Sequence, residues 1–309
     1  MASQTTNTIL MVRPVAFKKN TQTAVNNYFQ QDGPHGDINA MAQTEFDALV
    51  KRLREHGVQV LVVEDTQVPD TPDSIFPNNW ISFHADGTVG VYPMFAQNRR
   101  AERREDILEM LEAKGFVISD IVDYTEAEEE GLFLEGTGSM VLDRVHRKAY
   151  CALSDRAHED LFIEFCEDFE YDPILFTANQ TVGNQRLPIY HSNVMLCVAE
   201  TFAVICLESI DDKKERKVVL KQLKETGKEV IAISEAQMHA FAGNMLQVRG
   251  MGDRRYLVMS TAAYTSLRPD QIKTLEKHNP LLHSPLDTIE TCGGGSARCM
   301  MAEVFLPKA

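Results

Sequence analysis

No stretch of this sequence approaches the ~18 consecutive apolar residues that a membrane helix requires. The polar start from Met1 to Thr8 also lacks the apolar segment of a secretory signal. Both absences point to a soluble chain and, by default, to a cytoplasmic location. A disulfide framework is missing too. The six cysteines (Cys151, Cys166, Cys197, Cys206, Cys292 and Cys299) include no CxxC pair, so reduced and mostly buried thiols are expected. The histidines show no HExxH-type spacing, and neither a metal nor a cofactor is expected. Positive charge is scarce: 45 acidic residues face 31 Lys and Arg, a net charge of −14. Phosphate binding needs clustered cations, so neither nucleic acid nor an anionic membrane surface is expected as partner. No linker or low-complexity tract divides the chain, and residues 1–309 read as one domain.

What the sequence does contain is a repeat. A polar or small residue leads into an apolar run at Asn79-Trp80-Ile81, Ser139-Met140-Val141, Asn193-Val194-Met195, Asn244-Met245-Leu246 and Cys299-Met300-Met301. After a turn comes a second apolar run, then an amphipathic helix, then a short third strand. In one unit, residues 80–83 and 89–94 flank an Asp86-Gly87 hairpin turn, which suits a tight primed turn. A helix over 101–114 follows, with Ile107, Leu108 and Leu111 on one face and Gly115 at its end, and 116–118 is the closing strand. The next units read 140–142, 148–153, helix 157–168 and 173–176; then 194–198, 202–207, helix 213–226 and 230–233; then 245–248, 256–259, helix 269–277 and a weaker strand near Leu281. The fifth is split between the chain ends: strands 299–305, 8–13 and 58–63, and a helix over 46–54.

Five ββαβ units with shared termini predict a five-bladed α/β propeller of pseudo-five-fold symmetry, closed by strands from both termini. An ordinary α/β chain with chance hairpins is the alternative. Long loops are expected over 18–39, 64–75, 126–137 and 178–189, where lids and specificity loops would sit.

The repeat brings distant residues to comparable places at one axis. Cys299 ends Thr291-Cys292-Gly293-Gly294-Gly295-Ser296-Ala297-Arg298-Cys299. A thiol after such a turn, exposed beside Arg298, would have the neighbouring cation that favours the nucleophilic thiolate. His191 directly precedes a first strand, and Glu135 lies among apolar residues and glycines in Gly131-Leu132-Phe133-Leu134-Glu135-Gly136-Thr137-Gly138-Ser139. The run Glu128-Glu129-Glu130 reads instead as solvated. Alone, each of the three candidates has an ordinary structural explanation. Together they make a nucleophile, a general acid/base and an orienting carboxylate.

At these residues the chain resembles the guanidine-modifying superfamily of arginine deiminases, dimethylarginine hydrolases and amidinotransferases. The likeness runs from about Thr8 to Leu306 and is greatest to the bacterial amidinotransferase-like branch associated with citrulline use. The resemblance implies a five-bladed α/β propeller. It also implies a nucleophile at Cys299 after the Gly-rich turn, a histidine at His191, and an acid at Glu135 in Leu134-Glu135-Gly136. A substrate-contacting arginine after a Pro-Met-aromatic turn corresponds to Arg99, and a second, in a Ser-x-Arg segment, to Arg156, although Ala157 replaces the family's threonine.

Two departures stand out. Arginine deiminases grip the guanidinium with two aspartates, where this chain has Asn79, in Phe76-Pro77-Asn78-Asn79, and Asn193. Phe76, which opens that segment, is counted with the substrate-binding residues. Loss of two carboxylates weakens the attraction for a buried cation, and an amide, with both donors and an acceptor, suits a neutral ureido group. The alternative is that Asn78 and Asn79 are turn residues and Glu135 alone supplies charge. Arg99 could equally begin a charged surface helix. The expectation is a cysteine-dependent enzyme cleaving a C–N bond in a guanidino or ureido small molecule, hydrolase rather than amidinotransferase. The rival is a non-catalytic propeller, similar to the ribosome anti-association initiation factor, or a decayed metabolite-binding site.

Overall fold

The computed structural model describes residues 3–309, and in it the repeat becomes five three-stranded sheets built to one order. In each sheet two strands pair antiparallel, and one of these, the central strand, pairs in parallel with a third. Parallel neighbours cannot be joined by a tight turn, so a helix carries the chain across. The strand sets are Ile81–Phe83, Thr88–Val91 and Asp120–Asp123; Met140–Asp143, Lys148–Ala152 and Asp172–Phe176; Leu196–Val198, Phe202–Ile205 and Glu229–Ala232; and Leu246–Arg249, Arg255–Ser260 and Leu281–Ser284. The remaining sheet joins both chain ends. Ala302–Glu303 pairs antiparallel with Thr8–Arg13, which pairs in parallel with Gln59–Glu64. The sheets stay separate, and no single closed sheet forms among the described residues. Leu196–Val198 touches Met140–Asp143, and Ala302–Glu303 touches Ile81–Phe83, so first strands of different units line a common interior.

The helices follow from local chemistry. In Ile38–Glu55 the residues Phe46, Leu49, Val50 and Leu53 fall on one stripe and are buried, and the Asp37 side chain caps the helix by accepting from the Ala40 N–H. Phe46 is fully buried, so Phe46→Ala would cost about 3–5 kcal/mol through lost contacts and a cavity. Lys213–Glu225 buries only Val219 and Leu223 and is mostly charged elsewhere, with Asp212 as its cap. No helix among the described residues is long and apolar enough to cross a membrane.

Three expectations about elements are corrected. The closing strand expected at 116–118 lies at Asp120–Asp123. Residues 116 and 117 spend their hydrogen bonds elsewhere: the Phe116 N–H bonds the Leu111 carbonyl and the Val117 N–H the Pro307 carbonyl. The strand expected over 299–305 shrinks to Ala302–Glu303, because Cys299, Met300 and Met301 donate backward into the preceding turn. Most of the loop expected at 178–189 is a hairpin, Asn179–Val182 with Gln185–Pro188; its largely exposed, polar strands have no apolar alternation to read. Entrances also differ from plain strand starts: Pro77–Asn79, Gly136–Ser139 and Ser192–Val194 are short helical turns.

Candidate active site

Helix Asp287–Gly293 ends with Gly294 in the left-handed region at φ 63°. Its neighbours are glycines for a steric reason. A Cβ on Gly293 or Gly295 would lie 2.8 or 3.0 Å from the Phe76 ring, so only bare backbone passes there. The turn then closes through Cys299 N–H to the Ser296 carbonyl at 3.0 Å, while Ser296 Oγ donates to Glu290 Oε1 at 2.5 Å. The outcome for Cys299 differs from the sequence expectation. The residue is 2% exposed rather than open, and the Arg298 guanidinium points away, to the Met301 carbonyl at 2.7 Å and Glu303 at 3.1 Å. The groups that meet the sulfur are amides, Asn244 Nδ2 at 3.2 Å and Asn193 at 3.5 Å through Nδ2 and 3.6 Å through Oδ1. Burial pushes the Cys299 thiol above its ordinary pKa, and the Ser296 backbone, the two amides and the charge of Arg298 pull against that rise.

His191 and Glu135, both candidates from the sequence, meet in the structure. His191 Nε2 lies 2.7 Å from Glu135 Oε2, and both side chains are buried. The second carboxylate oxygen accepts from the Phe95 N–H at 3.0 Å. Burial alone would raise the Glu135 pKa, but Arg156, the His191 hydrogen bond and Arg99 outweigh it and hold the group ionised. Burial, with Arg156 and Arg99, draws His191 down to about 4 against the pull of Glu135, so the resting imidazole is neutral. Gly138 lines the same spot: a Cβ there would sit 2.8 Å from His191 Nδ1.

Arg99 and Arg156 are buried, 2% exposed each, so Arg99 does not begin a surface helix. Arg99 pairs with Glu102 through two bonds of 2.9 Å and donates Nη1 to Asn79 Oδ1 at 2.9 Å. Arg156 is held by Asn26 Oδ1 and the Thr23 carbonyl and lies over the Tyr190 ring at 5.0 Å. Both guanidinium groups lie within 3.7 Å of Glu135 Oε2. The acidic run at 128–130 is only partly solvated: Glu129 and Glu130 are exposed, whereas Glu128 is partly buried against Arg100 and Arg103.

Asp73, Tyr190, Asn244 and Asn27 belong to this constellation, and the sequence did not single them out as site residues. Asp73 is buried; its Oδ2 accepts from Asn20 Nδ2 at 2.8 Å and Thr23 Oγ1 at 3.0 Å, while its Oδ1 has no hydrogen-bond partner. The only signal was an acid shortly before the apolar pair Ile75-Phe76, at the end of an expected loop. Tyr190 donates to the Gly294 carbonyl at 2.5 Å. Asn244 opens a repeat unit, and that position was its signal. Asn27, Asp73, Phe76, Asn79, Arg99, Arg156, Tyr190, His191 and Cys299 line one small pocket. Its roof is the segment around residues 20–30, where Asn27 and Gln30 donate to the carbonyls of Gly293 and Gly294. No group of three or more His, Cys, Asp or Glu side chains among the described residues could hold a metal ion.

A buried thiol, a neutral imidazole on an ionised carboxylate and two arginines define a site suited to covalent chemistry on a small polar molecule. Residues 13–306 match the family described as N,N dimethylarginine dimethylhydrolase, eukaryotic, and the chain belongs to that family. Among solved structures, the cyanobacterial arginine dihydrolase ArgZ is similar at TM-score 0.75 and 17% identity, over 98% of this chain and 41% of that one. The chain thus spans about two fifths of ArgZ, and it covers 99% of the separate ArgZ N-terminal domain at TM-score 0.72 and 17% identity. A dimethylarginine dimethylaminohydrolase is similar at TM-score 0.63 and 14% identity, over 96% of this chain and 98% of that one. No curated protein sequence matches the chain.

Proposed function

We propose that this protein hydrolyses a C–N bond of a ureido or guanidino group in a citrulline- or arginine-like amino acid, through a covalent adduct on Cys299. The observation that carries this reading is one small pocket lined by Cys299 and by His191, which sits on its Glu135 carboxylate. The five sheets are read as the blades of a ring, which brings these residues together at its axis, within a single catalytic domain.

In the mechanism the Cys299 sulfur attacks the central carbon of the group, and its proton passes to neutral His191. The imidazolium then protonates the departing nitrogen as the C–N bond breaks, with Glu135 orienting the ring and balancing its charge. A water enters, gives a proton back to His191 and attacks the thioester-like carbon. The C–S bond breaks, its electron pair returns to sulfur, and the thiolate recovers the proton from His191. Arg99 and Arg156 favour the substrate's α-carboxylate, although both are engaged at rest and must exchange partners. The unpartnered Asp73 Oδ1 is placed to accept from the substrate's α-ammonium. Beside the sulfur stand amides rather than carboxylates, which favours a neutral ureido group over a guanidinium. That ArgZ is an arginine dihydrolase, and the other relative a dimethylarginine dimethylaminohydrolase, supports the arginine-like substrate class.

The test is incubation with citrulline, arginine, agmatine and methylated arginines, assayed for ammonia, urea, ornithine and citrulline. Turnover of citrulline above the others is expected. A protein inert toward all of them would overturn the reading and return the non-catalytic alternative.

A further inference from the structure

Asn244 has all of its amide hydrogen-bonding capacity committed. Its Oδ1 accepts from two backbone N–H groups, Arg298 at 3.0 Å and Cys299 at 3.4 Å. Its Nδ2 donates to the Asn193 carbonyl at 2.9 Å and to Cys299 Sγ at 3.2 Å. Because an amide oxygen must face the two N–H donors, the side chain cannot be turned over, and nitrogen necessarily faces sulfur. Asn193 differs. Its Nδ2 and Oδ1 lie 3.5 and 3.6 Å from the sulfur, so it can donate to a thiolate or accept from a thiol. Asn244 can only donate, and a donor favours the charged form.

From this geometry we infer that Asn244 is a further catalytic residue, a fixed N–H donor that stabilises the Cys299 thiolate when it attacks and again when the C–S bond breaks and returns its electron pair to sulfur. The inference rests on Cys299 being the nucleophile. Asn193 follows the change of protonation, while Asn244 stays in place and also ties the catalytic turn to the neighbouring unit.

Asn244→Asp separates the two roles. A carboxylate still accepts from the N–H groups of Arg298 and Cys299 but offers the sulfur no donor and adds a like charge. The thiolate is read by its ultraviolet absorbance against pH, as the difference between each protein and the same protein carrying Cys299→Ser. Without Asn244 the midpoint should rise by about one to two pH units, roughly a 10- to 100-fold smaller thiolate fraction at neutral pH. Asn244→Ala should move it in the same direction. A folded variant of either kind with the wild-type midpoint overturns the inference. So does a wild-type Cys299 that fails to titrate anywhere below alkaline unfolding, since the donor would then not offset burial. Turnover by Cys299→Ser would remove the premise; an inactive Cys299→Ser with an unchanged Asn244→Asp midpoint removes this inference alone.

Discussion

Arg99 donates its Nη1 to the side-chain oxygen of Asn79 at 2.9 Å, while its other face is held by Glu102. An aspartate at position 79 would therefore be partly neutralised by Arg99. Asn193, whose side chain meets Cys299 and Asn244, has no such cation in its hydrogen bonds. Asn193→Asp should shift preference from ureido toward guanidinium substrates more than Asn79→Asp does. A carboxylate near the cation could change specificity by roughly 5–150-fold. Competition of citrulline with arginine measures it, and equal shifts from the two variants would contradict the argument.

Cys299→Ser should abolish turnover without unfolding the protein, because a hydroxyl is a far weaker nucleophile at neutral pH. Cys292→Ser, across the glycine run, should keep most activity. Melting curves and steady-state assays of both variants check this, and an active Cys299→Ser ends the covalent mechanism.

His191→Ala and Glu135→Gln should each lower kcat by ~10²–10⁴. The pair also predicts a pH effect on stability. Folding draws His191 down to about 4, from ~6.5 in an unfolded chain. Between those values the unfolded state binds the proton and the folded state does not, so stability falls as pH drops through that window. The depressed Glu135 extends the loss to still lower pH. Melting curves should show wild type losing stability relative to His191→Asn as pH falls from 6.5 to 4. A constant difference would refute a neutral buried imidazole.

Gly138→Ala places a methyl group 2.8 Å from His191 Nδ1 and against the Asn79 amide. The site must shift, so kcat should drop by about 10²-fold or more with a smaller change in melting temperature. Near-normal kcat would mean that His191 has more freedom than its packing implies.

The ββαβ rhythm was legible because strands and helices write their periods into local hydrophobic pattern, and the entrances at Asn79, His191, Asn244 and Cys299 could be located from it. Cys299, His191 and Glu135 followed from those entrances together with a family resemblance. Sequence also carried the absence of an acid at Asn79 and Asn193. Its failures were local contests over hydrogen bonds: 116–118 lost its strand to a helix end and the C-terminal segment, and the exposed hairpin after Ala178 had no apolar alternation. Only the tertiary structure decided that Cys299 is buried among amides rather than exposed beside Arg298, that Arg99 lies inside, and that Asp73 and Asn244 join the site. Those facts depend on which side chains from distant units share one small space, and no pattern within a single segment encodes that partnership.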